Sequence, residues 1–401
     1  MMDGRLLRLD HLRFMACFAV MSWHFTHAYV PVSATPKFAL LSVIEEGHTG
    51  VSFFCVISGF IFAWLYNHRP MNYFAFQRRR AFRIFPLFIL MIMLTVVVVG
   101  NWRAEHVLRA LTTIHYGALP GYVAPGWSVL VEMQFYFVFP FLLLFTKRYG
   151  TVYLVGLLVL FLLLRGMVWV DKGTVQGLSY WTIFGRADQF IVGIVAGLTC
   201  RRLAEREDRT VQTAALACGL LGFAAITLTY AKLDDAGGFD FDPKSPFWIV
   251  LPTIEAISYG LIVSGYLLFA GGVNFLAGPI SRFIGYLGRI SYSMYLMHVL
   301  VFMVVHRTLA TSASSWEQAM VLFVLAGLPP VILVSSLTYT LVERPFLALE
   351  RSETVPLTMR RWIDAILARM PARSLFLDAP PETRAPTSEA ATGYGSSPSD
   401  A

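Results

Sequence analysis

Charge is scarce in this 401-residue chain: Asp, Glu, Lys and Arg together make up 14%, against about 25% in soluble globular domains. That scarcity excludes a soluble globular enzyme, and the apolar content that replaces it excludes a disordered or fibrous chain. Cysteine is nearly missing. Cys17, Cys55, Cys200 and Cys218 lie in apolar stretches, and no pair has zinc-finger or CxxC spacing, so a disulfide framework is not expected. A cleavable signal peptide is lacking too. The first apolar run follows Arg5, Arg8 and Arg13 directly and ends without an A-x-A site, so it is expected to be retained. No GxSxG elbow, P-loop, GxGxxG or HExxH is found, and neither a metal nor a bound cofactor is expected.

What fills the chain is apolar. The residues AVILMFWYC account for 56%; with Gly counted in place of Tyr the share is roughly 59%, against about 45–50% in soluble domains. Ten apolar stretches are long enough to cross about 30 Å of hydrocarbon as helices. They lie near 12–30, 47–66, 84–100, 127–146, 151–170, 184–200, 211–231, 246–270, 284–306 and 317–342. The one at 151–170 is the plainest, apolar until Arg165; the one at 246–270 is interrupted by Pro246, Pro252 and Glu255. Strand alternation is absent, which disfavours a β-barrel. The expected fold class is all-α: a polytopic membrane helix bundle of about ten transmembrane helices.

The net charge of +7 matters through its placement. With the amino terminus inside, Arg5, Arg8 and Arg13, the Arg69–Arg83 group, Lys147 and Arg148, Arg201 to Arg209, Arg282 and Arg289, and the arginines from Arg344 to Arg384 all fall on one side. Both termini are then expected to be cytoplasmic, and the basic balance marks topology rather than nucleic-acid binding. Residues 1–347 form the expected membrane domain. Residues 348–401 form the expected cytoplasmic tail: a short amphipathic helix over 351–370, anchored by Arg360, Arg361 and Trp362, then a disordered Pro/Ser/Thr/Ala segment. No internal repeat of the inverted-transporter kind is visible.

Ionisable residues inside spans cost about 2.5–3.5 kcal/mol at a helix centre, so each asks for a reason. Arg13 and His24 are eleven residues apart in the first stretch, roughly 16.5 Å along a helix and within about 20° of one direction. One face thus carries a cation near the cytoplasmic end and an imidazole in the outer half; lipid anchoring and an interhelical hydrogen bond are the plainer alternatives. Glu132 follows Pro125-Gly126-Trp127-Ser128, where Pro-Gly ends an outer loop, Trp127 suits the interface belt and Ser128 an N-cap. That places Glu132 about one turn inside, at the depth of His24. A carboxylate there would fix the imidazole tautomer and raise its basicity, or simply favour the helix N-terminus. Tyr136 shares its face.

Arg80 and Arg83 present a double-cation face, suited to a phosphorylated cytoplasmic ligand or to lipid anchoring. Arg186 and Asp188 open the sixth span as an internal ion pair or as part of an outer substrate site. Gly193 and Gly197 beside them are small residues for helix packing. Ser291, Tyr295 and His298 fall at i, i+4 and i+7, a polar stripe that lines a cavity or satisfies packing. Ser58-Gly59 admits close packing or a ligand, and Glu343 and Arg344 end the last span as a cap or latch.

Five pieces of this chain, taken in order, resemble the integral-membrane acyltransferase-3 family over about residues 8–347. They are Arg13-x10-His24; Gly50 to Phe60 (GVSFFCVISGF); Arg80-Ala81-Phe82-Arg83-Ile84-Phe85-Pro86; Pro125 to Tyr136 (PGWSVLVEMQFY); and Ser291 to His298 (SYSMYLMH), followed by Val342-Glu343-Arg344-Pro345-Phe346. Ser52, Cys55 and Met133 depart from the family pattern, where Asp, Phe and a second Glu are common. The resemblance implies a multi-pass enzyme of the inner (plasma) membrane, among membrane lipid, with acyl-CoA as co-substrate. The acyl group is expected to be acetyl. The acceptor is a hydroxyl of a cell-envelope glycan, a lipid-linked sugar or a small molecule.

In that setting Arg13, Arg80 and Arg83 are expected to hold CoA phosphates. His24, oriented by Glu132, acts as general base or carries a transient acyl group. Trp127, Tyr136, Arg186, Asp188, Ser291, Tyr295 and His298 are expected at acceptor or pocket-lining positions, with Tyr136, Tyr295 or His298 stabilising an oxyanion. The rival reading is a proton-coupled membrane transporter, in which the same buried ionisable groups relay protons.

Overall fold

The structure, a computed structural model, describes residues 2–30, 38–67, 71–99, 126–204, 206, 208–269, 278–309 and 313–351. Among them the secondary structure is entirely helical, as composition and periodicity lead one to expect. The main helices are α1 (Met2–Thr26), α2 (Gly50–Tyr66), α3 (Tyr73–Val99), α4 (Gly126–Tyr149), α5 (Val152–Lys172), α6 (Ile183–Leu203), α7 (Arg209–Asp235), α8 (Phe247–Leu268), α9 (Pro279–Arg289), α10 (Ser291–Leu309) and α11 (Trp316–Glu350). Local chemistry sets several ends. The Thr182 hydroxyl accepts from the Gly185 N–H at the start of α6, and the Asp208 carboxylate accepts from Val211 N–H at the start of α7. α5 stops at Gly173, whose φ of 70° is open to glycine and whose N–H closes on the Trp169 carbonyl.

Among the described residues, seven helices are long and apolar enough to cross a membrane, or eight if the bent pair α9–α10 is one span. The chain is a multi-pass membrane protein. Ten spans were expected. The two stretches at 12–30 and 84–100 lie largely within α1 and α3, helices of 25 and 27 residues. The stretch at 284–306 is not one straight helix: it bends by 72° between α9 and α10. The interrupted stretch at 246–270 is, by contrast, the continuous α8. Beside its Pro252, the carbonyls of Ile249 and Pro252 accept from Arg165 and Gln189 side chains. The last stretch runs to Glu350 through π-helical segments at Phe323–Gly327 and Tyr339–Glu343. Glu343 and Arg344 therefore lie inside α11 rather than ending it. The expected tail beyond residue 351 lies outside the described residues.

α2 and α6 form the centre, with 67% and 72% of their apolar windows buried, whereas α5 and α7, at 11% and 22%, present most of theirs to lipid. The α2–α6 contact is the most extensive in the molecule. It is close because glycine permits it: a Cβ on Gly59 would sit 2.2 Å from the Phe190 carbonyl oxygen, and one on Gly193 2.2 Å from that of Val56. One apolar core joins α1, α2, α3, α4, α6, α10 and α11, and a second joins α1, α2, α6, α7 and α8. α1, α2 and α6 belong to both.

Candidate active site

α1, α2, α3, α4 and α10 wall a cavity of about 420 Å³. Arg13 enters it from α1, Ser58 from α2, Arg80 and Arg83 from α3, Ser128, Glu132 and Tyr136 from α4, and Ser291, Tyr292 and Tyr295 from α10. The sequence patterns account for much of this. Glu132 and Tyr136 are at i, i+4, and the Tyr136 hydroxyl donates to Glu132 Oε1 at 2.5 Å. Ser58 Oγ of α2 donates to the same oxygen at 2.8 Å.

The three cations are held differently. Arg13 pairs with Asp10 at 2.7 Å. The Arg80 guanidinium lies over the rings of Phe62, Phe76 and Tyr136, 4.9, 5.7 and 5.8 Å from their centres. Arg83 feels the carboxylates of Glu343 and Glu132. Tyr292 OH donates to the Ile84 carbonyl at 2.8 Å and fastens α10 to α3.

Ser128 and Tyr295 face each other across the cavity with their hydroxyl oxygens 2.6 Å apart. Ser128 is thus not the expected N-cap: α4 already begins at Gly126, and its hydroxyl is turned to α10. One turn beyond Tyr295, His298 Nδ1 lies 2.6 Å from the Tyr295 carbonyl, and His298 Nε2 lies 3.3 Å from His24 Nδ1. His24 Nδ1 also lies 2.9 Å from the Val20 carbonyl. A carbonyl oxygen only accepts, so each imidazole carries its proton on Nδ1. His24 Nδ1–H is then shared between Val20 O and His298 Nε2, and the lone pair of His24 Nε2 is left for chemistry.

His24 and Glu132 share no hydrogen bond. The partner expected to orient the imidazole is spent locally on Ser58 and Tyr136, and His298 takes that place. The polar stripe of α10 is therefore divided: Ser291 and Tyr295 line the cavity, while His298 connects it to His24.

Arg186 and Asp188 are not paired with each other. Asp188, fully buried, receives both guanidinium nitrogens of Arg165 at 3.0 and 2.7 Å and the Thr253 hydroxyl. Arg186 donates to Ser52 Oγ and, at 2.8 Å, to the Tyr180 carbonyl; it lies 3.5 Å from Glu255 and over the Tyr180 ring at 4.4 Å. Glu255 also accepts from Thr49, Ser52, Gln189 and Tyr230 at 2.6–3.1 Å. Trp127 is buried, edge-on to Trp181, rather than set in an interface belt. Sequence reading missed the Glu255 hub and Arg165 as partners. The signal was there in each case: an ionisable residue in the middle of an apolar stretch.

Toward the other side of His24 lies an aromatic group. Trp23 stands edge-on to His24, with 5.0 Å between ring centres, and its ring neighbours those of His48 and Phe239, while His48 also meets Tyr180. Among the described residues, no group of three His, Cys, Asp or Glu side chains is placed to hold a metal.

Comparison with known proteins follows the same lines. A family profile described as an acyltransferase domain matches residues 6–340. The acyltransferase MdmB of Streptomyces mycarofaciens is 23% identical over 384 residues, 86% of this chain and 92% of that protein. The exopolysaccharide production protein ExoZ of Rhizobium meliloti (strain 1021) is 27% identical over 322 residues, 77% of this chain and 92% of that protein. A Staphylococcus aureus (strain COL) protein, named as a candidate O-acetyltransferase, is 22% identical over 371 residues, 84% of this chain and 56% of that protein. No solved structure gives a significant match.

Proposed function

The chain belongs to the acyltransferase-3 family, and from that premise we propose that it moves an acetyl group from acyl-CoA to a hydroxyl of a cell-envelope glycan or related acceptor. It acts as a multi-pass enzyme of the inner membrane with both termini cytoplasmic. The observation that carries this reading is the cavity that Arg13, Arg80 and Arg83 line together with Glu132, Ser128 and Tyr295, two hydrogen-bonded contacts from His24, by way of the Tyr295 carbonyl and His298. Names of relatives agree with it: one is an acyltransferase, one an exopolysaccharide production protein.

In this mechanism the cations receive the CoA phosphates, for which forked guanidinium donors are suited. The pantetheine arm lies along the apolar wall and brings the thioester toward Tyr295. His24 Nε2 takes the proton of the acceptor hydroxyl, its opposite nitrogen held by Val20 O and His298. The hydroxyl oxygen bonds to the acyl carbon, and the Ser128–Tyr295 hydroxyl pair donates to the developing oxyanion. The C–S bond then breaks, and the CoA thiolate leaves with the proton held on His24. Glu132 keeps Ser58 and Tyr136 in place opposite Arg80 and balances the arginines when the donor is away. Base catalysis of this kind is typically worth about 10²–10⁴-fold.

The experiment is incubation of membranes, with and without the gene product, with acetyl-labelled acetyl-CoA. An O-acetyltransferase yields alkali-labile label on an acceptor together with free CoA. A proton-coupled transporter leaves the thioester intact, and that result would reject the proposal.

A further inference from the structure

Buried polar atoms without partners are uncommon in native structures, and each costs about 1–3 kcal/mol. Four of them meet beside His24, away from the cavity already described: Trp23 Nε1, His27 Nε2, Glu46 Oε1 and His48 Nδ1. They belong to one contact group. The Trp23 ring lies 5.0 Å from that of His27 and 5.6 Å from that of His48, and His48 Nε2 is 2.9 Å from Glu46 Oε2. Glu46 and His48 are 1% and 2% exposed, so water does not satisfy them from the surface.

The donor and acceptor pattern selects a ligand chemistry. His27 Nδ1–H donates to the Trp23 carbonyl at 3.0 Å, so His27 Nε2 is an acceptor. His48 Nε2–H donates to Glu46, so neutral His48 Nδ1 is an acceptor as well. Glu46 Oε1 is a third, and only the Trp23 indole N–H is a donor. Three acceptors, one of them on a carboxylate, disfavour a phosphate or carboxylate ligand, which brings acceptors and negative charge. They suit a neutral molecule rich in hydroxyl hydrogens. The neighbouring rings are those of Phe239 and Tyr180, 4.9 and 5.3 Å from His48; Arg186 covers Tyr180, and Phe239, half-buried, offers apolar surface to ring C–H groups.

We propose that Trp23, His27, Glu46 and His48 form a saccharide subsite, backed by Phe239 and Tyr180, that presents an acceptor hydroxyl to His24. This rests on the acyltransferase reading above and assigns the residues that would hold its acceptor. The subsite adjoins His24 through Trp23, and the arginine-lined cavity connects to it through Tyr295 and His298, so donor and acceptor reach the imidazole by separate routes.

The test is steady-state transfer from labelled acetyl-CoA to de-O-acetylated envelope glycan, prepared from a host lacking the gene, by the full chain in membranes. Variants are Glu46→Gln, His48→Phe and the conservative Trp23→Phe, which keeps the ring and deletes the donor. Each is checked for monodispersity in detergent. The expected result is an apparent KM for glycan raised at least about tenfold in each monodisperse variant, with the KM for acetyl-CoA unchanged. Glycan KM values within about twofold of wild type, or equal rises in both KM values, overturn the subsite. A wild-type protein that releases CoA but labels only a non-saccharide acceptor overturns the saccharide assignment while the acyltransferase reading stands. A wild-type protein that releases no CoA overturns both.

Discussion

Cutting the buried pair Arg165–Asp188 tests how the bundle holds its central helix. Both side chains are 0% exposed. Arg165 on α5 grips Asp188 on α6 with two nitrogens at 3.0 and 2.7 Å, and its Nε holds the Ile249 carbonyl of α8 at 2.8 Å. Asp188→Ala leaves a guanidinium in an apolar interior with only Ile249 O and Thr253 as partners. Removing one member of a buried pair typically costs about 3–5 kcal/mol, because the other charge stays uncompensated. Against a total of about 5–15 kcal/mol, that is a large share. Replacing both members with apolar residues of similar volume, Arg165→Met with Asp188→Leu, removes the stranded charge and should recover most of the loss. Reversible unfolding in mixed micelles, titrated with a denaturing detergent, reads both values. An Asp188→Ala protein within about 1 kcal/mol of wild type, or a double variant no better than the single, refutes the reasoning.

His298→Ala should lower kcat with little change in the KM for acetyl-CoA, since it frees His24 Nδ1–H from its 3.3 Å partner but leaves the cavity cations in place; an unchanged kcat counts against the relay. Arg80→Ala should raise the KM for acetyl-CoA by about 10- to 100-fold, the worth of one charge-assisted contact, and dephospho-CoA competition should weaken less than CoA competition; equal weakening argues against phosphate binding. Glu45, buried just outside the spans, has its carboxyl pushed up from 4.5 to about 8 by burial and then by the neighbouring Asp234. The native state therefore holds a proton there that the unfolded chain has lost, so stability present below about pH 4.5 declines as pH rises through about 8. Thermal midpoints in detergent should fall from pH 5 to 9, and Glu45→Gln should flatten that fall; a slope of the opposite sign contradicts it.

The helical, multi-pass character was legible because apolar length alone decides it. So were the shared faces of Arg80 with Arg83 and of Glu132 with Tyr136, because each pair sits at helical spacing within one helix. What sequence spacing could not show is which helix each polar face meets. Glu132 was assigned to His24 on depth, but its carboxylate is claimed by Ser58, 74 residues away, and by its own i+4 neighbour Tyr136. His298, 274 residues from His24, has no local signal pointing there. Arg186 and Asp188 are two residues apart and point to opposite sides of α6, so each finds a separate partner, which i, i+2 geometry favours. The bend between α9 and α10 falls between Arg289 and Ser291, inside a stretch long enough to read as one helix and with no proline to mark the break.

The account stands on the imidazole of His24 moving the acceptor proton. Single-turnover acetyl transfer by His24→Ala, with CoA binding measured on the same sample, tests this most directly. Transfer should fall by about 10²–10⁴-fold while CoA binding stays at the wild-type level. Transfer at near wild-type rates with CoA bound would place the proton transfer elsewhere and contradict the mechanism.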